Sequence, residues 1–237
     1  MISIEGLTKR LGNFQFGPLN LQVCEGQILV VLGENGSGKS TLLNLVSGIL
    51  KPDKGRIFLR QDLLNDLPIE KRRIGYVFQK LYLFPHLNVY ANITFGLRRR
   101  QRRGLTLSTT TMREVVSILG IESLLSRDIQ SLSAGEQQKV ALARTLVTEP
   151  HLLLMDEPLS NLDIVSKINV LLEFRKILRK VKIPVIYVTH YPNEAFRLAD
   201  RVLILNGGNM IEEGIKDEVM LRPKTEFTKM LLGSLSF

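Results

Sequence analysis

A single cysteine, Cys24, stands among 237 residues, which excludes an internal disulfide and leaves no set of thiols for a zinc site. On its own, Cys24 reads as an ordinary strand residue rather than a nucleophile. Histidine is almost as scarce, at His86, His151 and His190, so metal ligation by imidazoles is not expected. No apolar run approaches the ~18 to 20 residues of a membrane-spanning helix. The longest, Ile28–Leu32 and residues 152–155, have the length of strands. Internal repeats, low-complexity tracts and Pro-rich linkers are missing too, which favours one folded unit over a string of them. The opening MISIEGLTKR has neither an apolar stretch behind its charges nor a small-residue cleavage site, so no secretory signal is expected and residence in the cytosol follows.

Apolar residues make up 44% and charged residues 23%, near the averages for soluble globular chains. The length suits one α/β domain with a real core. Lys and Arg outnumber Asp and Glu by 32 to 23, a formal charge of +9, which admits nucleic acid, anionic lipid or nucleotide as partners without choosing among them. The densest basic run, RRRQRR at residues 98–103, reads as a solvated face.

Residues 2–7, 19–23, 27–32, 55–59 and 74–78 are short β-like runs between Gly-rich turns. One helix interrupts them at Lys39–Ser47, where Leu42, Leu43, Leu45 and Val46 form an apolar side and Gly48 and Pro52 mark the end. From about residue 85 to 150 the spacing turns helical, with MREVVSILG closing on Gly120 and EQQKVALARTLVTEP running on from Glu136. Strand 152–155, helix 164–180, strand Val185–Thr189 and strand 201–205 then alternate as in a parallel α/β sheet. The helical stretch is therefore expected as an insertion into a single core.

Residues 33–41, GENGSGKST, satisfy G-x-x-x-x-G-K-[ST] and lie between the apolar strand ILVVL and the amphipathic helix. Gly33, Gly36 and Gly38 let the backbone curl so that successive N–H groups converge on phosphate oxygens. Glu34, Asn35, Ser37 and Thr41 complete the loop. Lys39 supplies a cation for the β- and γ-phosphates, Ser40 a hydroxyl for Mg²⁺, and the helix that follows aims its positive dipole end at the same anion.

Such a loop needs a carboxylate to help hold the metal, and LLLMDE puts Asp156 at the end of a buried-looking strand with Glu157 directly after it. Asp156 is expected at Mg²⁺ through its water shell, and Glu157 as the base that takes a proton from the attacking water. His190 follows the strand VIYVT, so a parallel sheet carries it to the same carboxyl edge, within reach of the γ-phosphate or that water.

LSAGEQQ, residues 132–138, lies between these elements, and with it the chain resembles the ABC transporter ATPases, whose signature reads LSGGQ. The likeness extends over nearly the whole sequence: Gln79 in YVFQ is similar to the Q-loop, SNLD at 160–163 to the D-loop and His190 to the H-loop, all in the family's order. It implies a P-loop NTPase fold with a RecA-like core, an N-terminal antiparallel β subdomain and an inserted helical subdomain. The core would comprise about 1–84 and 150–225, the helical insert 85–149, with 226–237 as a short tail. The resemblance also implies that Gln79 senses Mg²⁺ and the attacking water while its loop meets a membrane subunit, and that Asp163 contacts the opposite subunit's phosphate loop. Ser133 opens the helix that contains Glu136, so its hydroxyl, the Gly135 N–H and the helix dipole can bind an anion. By the resemblance that anion belongs to the other subunit, and Ser133 and Gly135 complete its ATP site in a homodimer with two nucleotides sandwiched between. Ala134, Glu136 and Lys139 depart from the usual Gly, Gln and Arg. Leu11 stands where relatives place an aromatic against adenine, and Phe14 or Phe16 would substitute for it.

EKRRIGYVFQ and LFPHLNVYANITFGL, residues 70–79 and 83–97, are similar to ATPases of binding-protein-dependent importers for molybdate, tungstate, sulfate, iron and polyamines, with the wording nearest to the molybdate type. This implies ATP and Mg²⁺ as cofactors, integral-membrane permease subunits as partners, an extracytoplasmic substrate-binding protein acting indirectly, no nucleic acid, and a peripheral place on the cytoplasmic face of the cell membrane. Such relatives often continue into a β-rich regulatory domain, whereas RPKTEFTKMLLG leads here to Phe237, so regulation by cargo through that domain is not expected. The competing reading is a soluble ABC ATPase of translation or DNA repair. Those chains usually carry long coiled-coil insertions or two motors, against one motor and a short helical insert here. A switch that binds ATP without turnover would not require Glu157.

Overall fold

Two long strands open the chain, β1 (Ile2–Leu11) and β2 (Phe14–Val23), paired antiparallel. Every second residue of β2 from Leu19 to Val23 is buried, as the period of two dictates for a sheet with one wet face. In β1 a register shift between Ile4 and Leu7 restores the inward direction for Leu7. The computed structural model describes residues 1–101, 109–160 and 162–233; the basic side chains of 98–103, Asn161 of SNLD and the last residues of the tail lie outside the described residues.

The strand β3 (Ile28–Leu32), helix α1 (Lys39–Ser47), strands β4 (Lys54–Leu59) and β5 (Asp62–Leu63), and strand β6 (Ile74–Val77) follow. Helices α2 (Val89–Gln101), α3 (Thr109–Leu119) and α4 (Ala134–Leu146) precede β7 (Leu152–Asp156). After it come α5 (Ile164–Val181), β8 (Val185–Thr189), α6 (Pro192–Leu198), β9 (Arg201–Asn206), β10 (Asn209–Ile215), α7 (Lys216–Leu221) and α8 (Glu226–Leu232). The strands form an antiparallel sheet of order β2-β1-β4-β5 and a larger one of order β10-β9-β3-β8-β7-β6. The larger sheet is parallel except for the edge strand β10. This is a P-loop NTPase architecture, an α/β core with an N-terminal antiparallel β layer and a helical segment between β6 and β7.

All five residues of β3 are buried, and they divide by parity between two cores. Ile28, Val30 and Leu32 belong to the core shared with helices α2 to α6, of which α6 packs against β3 itself, while Leu29 and Val31 belong to the core shared with α1 and the antiparallel sheet. A central strand covered on both sides loses the alternation of a half-wet strand, which explains the continuous ILVVL. No helix among the described residues is long and apolar enough to cross a membrane.

The sequence reading misses α6, α7 and α8, of seven, six and seven residues, the two-residue β5, and β10, whose NMIEEGI carries no β-like run. It is also corrected at Cys24. β2 ends at Val23, and Cys24 is exposed in a turn where its carbonyl accepts the Gln27 N–H at 3.2 Å.

One buried cation fixes α1 from behind. Arg72 is 3% exposed, and its guanidinium donates to the carbonyls of Val46 at 2.9 Å and Leu67 at 3.0 Å. It thereby caps the negative end of α1 and joins that helix to the segment after β5, while burial lowers its pKa. Gly48, at φ 90°, turns the chain away with the guanidinium where a Cβ would stand. Arg72→Met is expected to remove about 2–4 kcal/mol of stability, since several buried carbonyls lose their donor at once. Urea unfolding of the nucleotide-free chain reads this as a lower midpoint at unchanged m-value; an unshifted midpoint contradicts it.

Candidate functional site

Neighbouring parallel strands end at one edge of the larger sheet, and each delivers a different group there. β3 leads into Gly33 and the glycine loop, β7 ends in Asp156 and continues to Glu157, β8 leads to His190, and β6 leads through Phe78 to Gln79. Because β3, β8, β7 and β6 are adjacent, residues more than a hundred positions apart come together at the crevice beyond the strand ends. A cleft of about 680 Å³ opens at this edge. Its lining takes Asn35, Gly36, Gly38, Lys39, Ser40 and Thr41 from the loop, Gln79, Asp156, Glu157 and His190 from the other strand ends, and Leu11 and Phe14 from the antiparallel sheet.

Local geometry suits the loop to an anion. Gly38 sits at φ 105° as the residue before α1, and no side chain among the described residues caps that helix, which leaves its first N–H groups for a ligand. The rings of Phe14 and Phe16 pack against Gly38, so closely that a Cβ there would come within 3.0–3.3 Å of their carbons. Phe16 is fully buried in this role, so of the two aromatics only Phe14 faces the cleft. Lys39 is 6% exposed and donates to the carbonyls of Gly33 at 2.9 Å and Glu34 at 2.8 Å. Burial lowers its pKa, opposed by the charges of Glu157 and Asp156. The buried Ser37 hydroxyl has no hydrogen-bond partner among the described residues.

Asp156 and Glu157 are adjacent in sequence but face different groups. Ser40 Oγ donates to Asp156 Oδ1 at 3.4 Å, and the Tyr76 hydroxyl to Oδ2 at 3.3 Å. Burial raises the Asp156 pKa against these two hydrogen bonds, and burial beside Asp156 drives the Tyr76 phenol far up. The sequence reading does not include Tyr76; a Tyr at the penultimate position of β6 carries no sequence signal of its own. Glu157 holds φ 42°, left-handed backbone that costs a non-glycine residue energy and recurs at working sites. The turn aims its carboxylate at His190, whose Nδ1 lies 2.9 Å from Oε1.

Ser133 and Gly135 are absent from the cleft lining; they lie at the start of α4. The chain's own carboxylate occupies that helix end. Glu136 Oε2 accepts the Ser133 N–H and the Ser133 hydroxyl, both at 2.8 Å, and the Ser133 hydroxyl accepts the Glu136 N–H at 3.3 Å, a complete capping box. The Ser133 backbone N–H, then its hydroxyl, hold the Glu136 pKa below the usual carboxylate range. Glutamate in place of glutamine therefore puts a negative charge where the sequence suggested an incoming anion.

A glycine loop opening onto an uncapped helix, a lysine beside two carboxylates and an acid-ended strand one place removed in the same sheet define a P-loop NTPase. The family model described as ABC transporter matches residues 16–160. The chain belongs to that family, and it is an ABC-type ATPase. It is 41% identical to the molybdate/tungstate import ATP-binding protein WtpC of Pyrococcus horikoshii over 98% of this chain and 67% of that protein. Likewise it is 38% identical to the spermidine/putrescine import ATP-binding protein PotA of Clostridium acetobutylicum, over 98% of this chain and 66% of the relative. Among solved structures it matches cbiO1 of Clostridium perfringens, part of an ABC transporter complex, with TM-score 0.83, 27% identity and coverage of 98% and 95%. The ATP-binding cassette MJ0796, dimeric and bound to ADP and Pi, matches with TM-score 0.74, 29% identity and coverage of 91% and 99%.

Proposed function

We propose that the chain is the ATP-hydrolysing subunit of an ABC importer that takes up an oxyanion of the molybdate or tungstate type. The observation that carries the hydrolytic reading is the meeting of Lys39, Asp156, Glu157 and His190 in one cleft. Lys39 gives up its two carbonyl partners for the β- and γ-phosphates, joined by the backbone N–H groups of residues 33–41. Ser40 and Asp156 offer the oxygen donors that Mg²⁺ prefers, and Gln79 can reach the same ion. The ion would neutralise charge developing on the phosphoryl oxygens. Glu157 accepts the proton of the attacking water, and His190 steadies Glu157 through Nδ1 with its second nitrogen left for the γ-phosphate. Phe14, with Leu11 beside it, is the candidate surface for adenine.

The same reading takes residues 85–149 as an insertion into one ATPase domain whose core is about 1–84 and 150–225. Two copies close around two ATP molecules, Ser133 and Gly135 of each sealing the other's site. Glu136 must then surrender its place on Ser133 to the partner's phosphate. Permease subunits on the cytoplasmic face of the membrane would convert closure into transport, with an extracytoplasmic binding protein supplying cargo. The dimeric cassette and the transporter complex among the related structures support this assembly. The oxyanion choice rests on the import names of the relatives, of which this chain spans about two thirds.

The test is the chain purified with its membrane partners in vesicles. ATP-dependent uptake of tungstate, competed by molybdate and not by spermidine, is expected. Competition by spermidine alone overturns the cargo, and tungstate uptake independent of ATP overturns the motor.

A further inference from the structure

Beside His190 lies a buried polar cluster to which the ATPase reading gives no work. Glu194, on α6, is 2% exposed. Its Oε2 accepts the hydroxyl of the fully buried Tyr187 of β8 at 2.7 Å, and its Oε1 lies 3.2 Å from Nζ of Lys167 in the first turns of α5. A carboxylate so deeply buried costs several kcal/mol unless it is paired; the Tyr187 hydroxyl supplies its hydrogen bond and the ammonium its counter-charge, an ion pair without hydrogen-bond geometry at Oε1. That ammonium sits 3.8 Å from the centroid of the Tyr191 ring, close for a cation over an aromatic face. The ring meets the His190 imidazole at a centroid separation of 3.9 Å with the planes 39° apart.

An imidazole on the loop after a strand has two torsions to restrain. The contact of Nδ1 with Glu157 directs the ring edge, and the Tyr191 ring supplies a wall for its face. Tyr191 is 38% exposed, so without the cation its own ring is poorly held. The Lys167 backbone is fixed by the first turn of α5, where its N–H donates to the Asp163 carbonyl at 2.9 Å. The Lys167 side chain thus joins α5 to α6 and to the loop that carries His190.

We infer that Lys167, held by the buried Glu194, is a positioning residue for ATP hydrolysis that sets the orientation of His190 through the ring of Tyr191. The inference rests on the proposed role of His190 in turnover. It makes Tyr191 a working part of the site as an aromatic, with its hydroxyl dispensable.

ATP turnover by the whole chain, assembled as it functions, is measured for Tyr191→Leu, Tyr191→Phe, Lys167→Met, Lys167→Arg and the double variant Lys167→Met/Glu194→Gln. Tyr191→Leu and Lys167→Met should lose about tenfold in kcat with KM for ATP changed less than about twofold, because an orientation is lost rather than a binding contact. Tyr191→Phe and Lys167→Arg should stay near the parent value. The double variant removes both charges, so it leaves no unpaired buried ion, yet it should remain slow. With only three histidines in the chain, the His190 ring resonance can be followed by NMR; it should move in Lys167→Met and return in Lys167→Arg. His190→Ala separates the two levels. If that variant turns over normally, the role given to His190 is wrong. If it is inactive while Lys167→Met and Tyr191→Leu hydrolyse ATP like the parent, or slow down with an unmoved His190 signal, the positioning inference is overturned and the ATPase reading stands. Should Lys167→Met fail to fold, the exposed Tyr191 pair of variants and the double variant decide alone.

Discussion

Glu157→Gln is expected to lower ATP hydrolysis by about 10²–10⁴-fold while leaving ATP binding intact, and in the presence of ATP to elute from a sizing column as a stable dimer. The amide keeps the size of the side chain and can still meet His190 Nδ1, which now lies 2.9 Å from Oε1, but it cannot take a proton from water. Nucleotide that binds only the closed state then stabilises that state by mass action, and without turnover nothing releases it. Lys39→Ala should behave in the opposite way, remaining monomeric with ATP because the phosphates lose a charged donor on the 6%-exposed lysine. Elution as a monomer by both variants, or undiminished turnover by Glu157→Gln, would refute the assigned base.

Mixing two inactive variants is expected to restore activity. Lys39→Ala lacks the phosphate anchor, and Ser133→Arg blocks the start of α4, where Ser133 now hydrogen-bonds Glu136 at 2.8 Å. Each alone should retain about a hundredth of the parent rate or less, since both sites of a two-fold dimer carry the lesion. In an equal mixture half of the dimers are mixed, and in each of these one site joins an intact Lys39 to an intact Ser133. Recovery to about a quarter of the parent rate follows if sites work independently. Absence of recovery with both variants folded and exchanging, or full activity of Ser133→Arg alone, would mean that α4 of one chain does not complete the cleft of the other.

Much of the cleft could be read in the linear chain because its parts are local. GENGSGKST carries its glycines, lysine and serine within nine residues, and the helix after it starts at Lys39 and ends at Ser47 as the apolar side and Gly48 indicate. Asp156, Glu157 and His190 could be placed because strands of a parallel sheet deliver the residues at their ends to a common edge. Tyr76 escaped notice, for its hydrogen bond to Asp156 crosses 80 positions and depends on β6 lying beside β7. The capping box is half legible: Ser133 and Glu136 have the right spacing, but only the folded chain shows that Glu136 takes the hydroxyl expected to be free. Arg72 and the Lys167–Glu194 pair were invisible, since a basic or acidic side chain in a helix or turn reads as solvated until its neighbours are known.

Sequence alone determined that this chain holds a phosphate loop, an acid-ended strand and a signature helix, because each depends on backbone conformations that short stretches of residue types select. Tertiary structure decided which of them meet. Strand order brings Lys39, Asp156, Glu157 and His190 into one cleft and leaves Ser133 outside it, and burial turns Arg72 into a helix cap and Glu194 into an anchor. Those outcomes follow from sheet pairing and desolvation, which act between residues far apart in the chain.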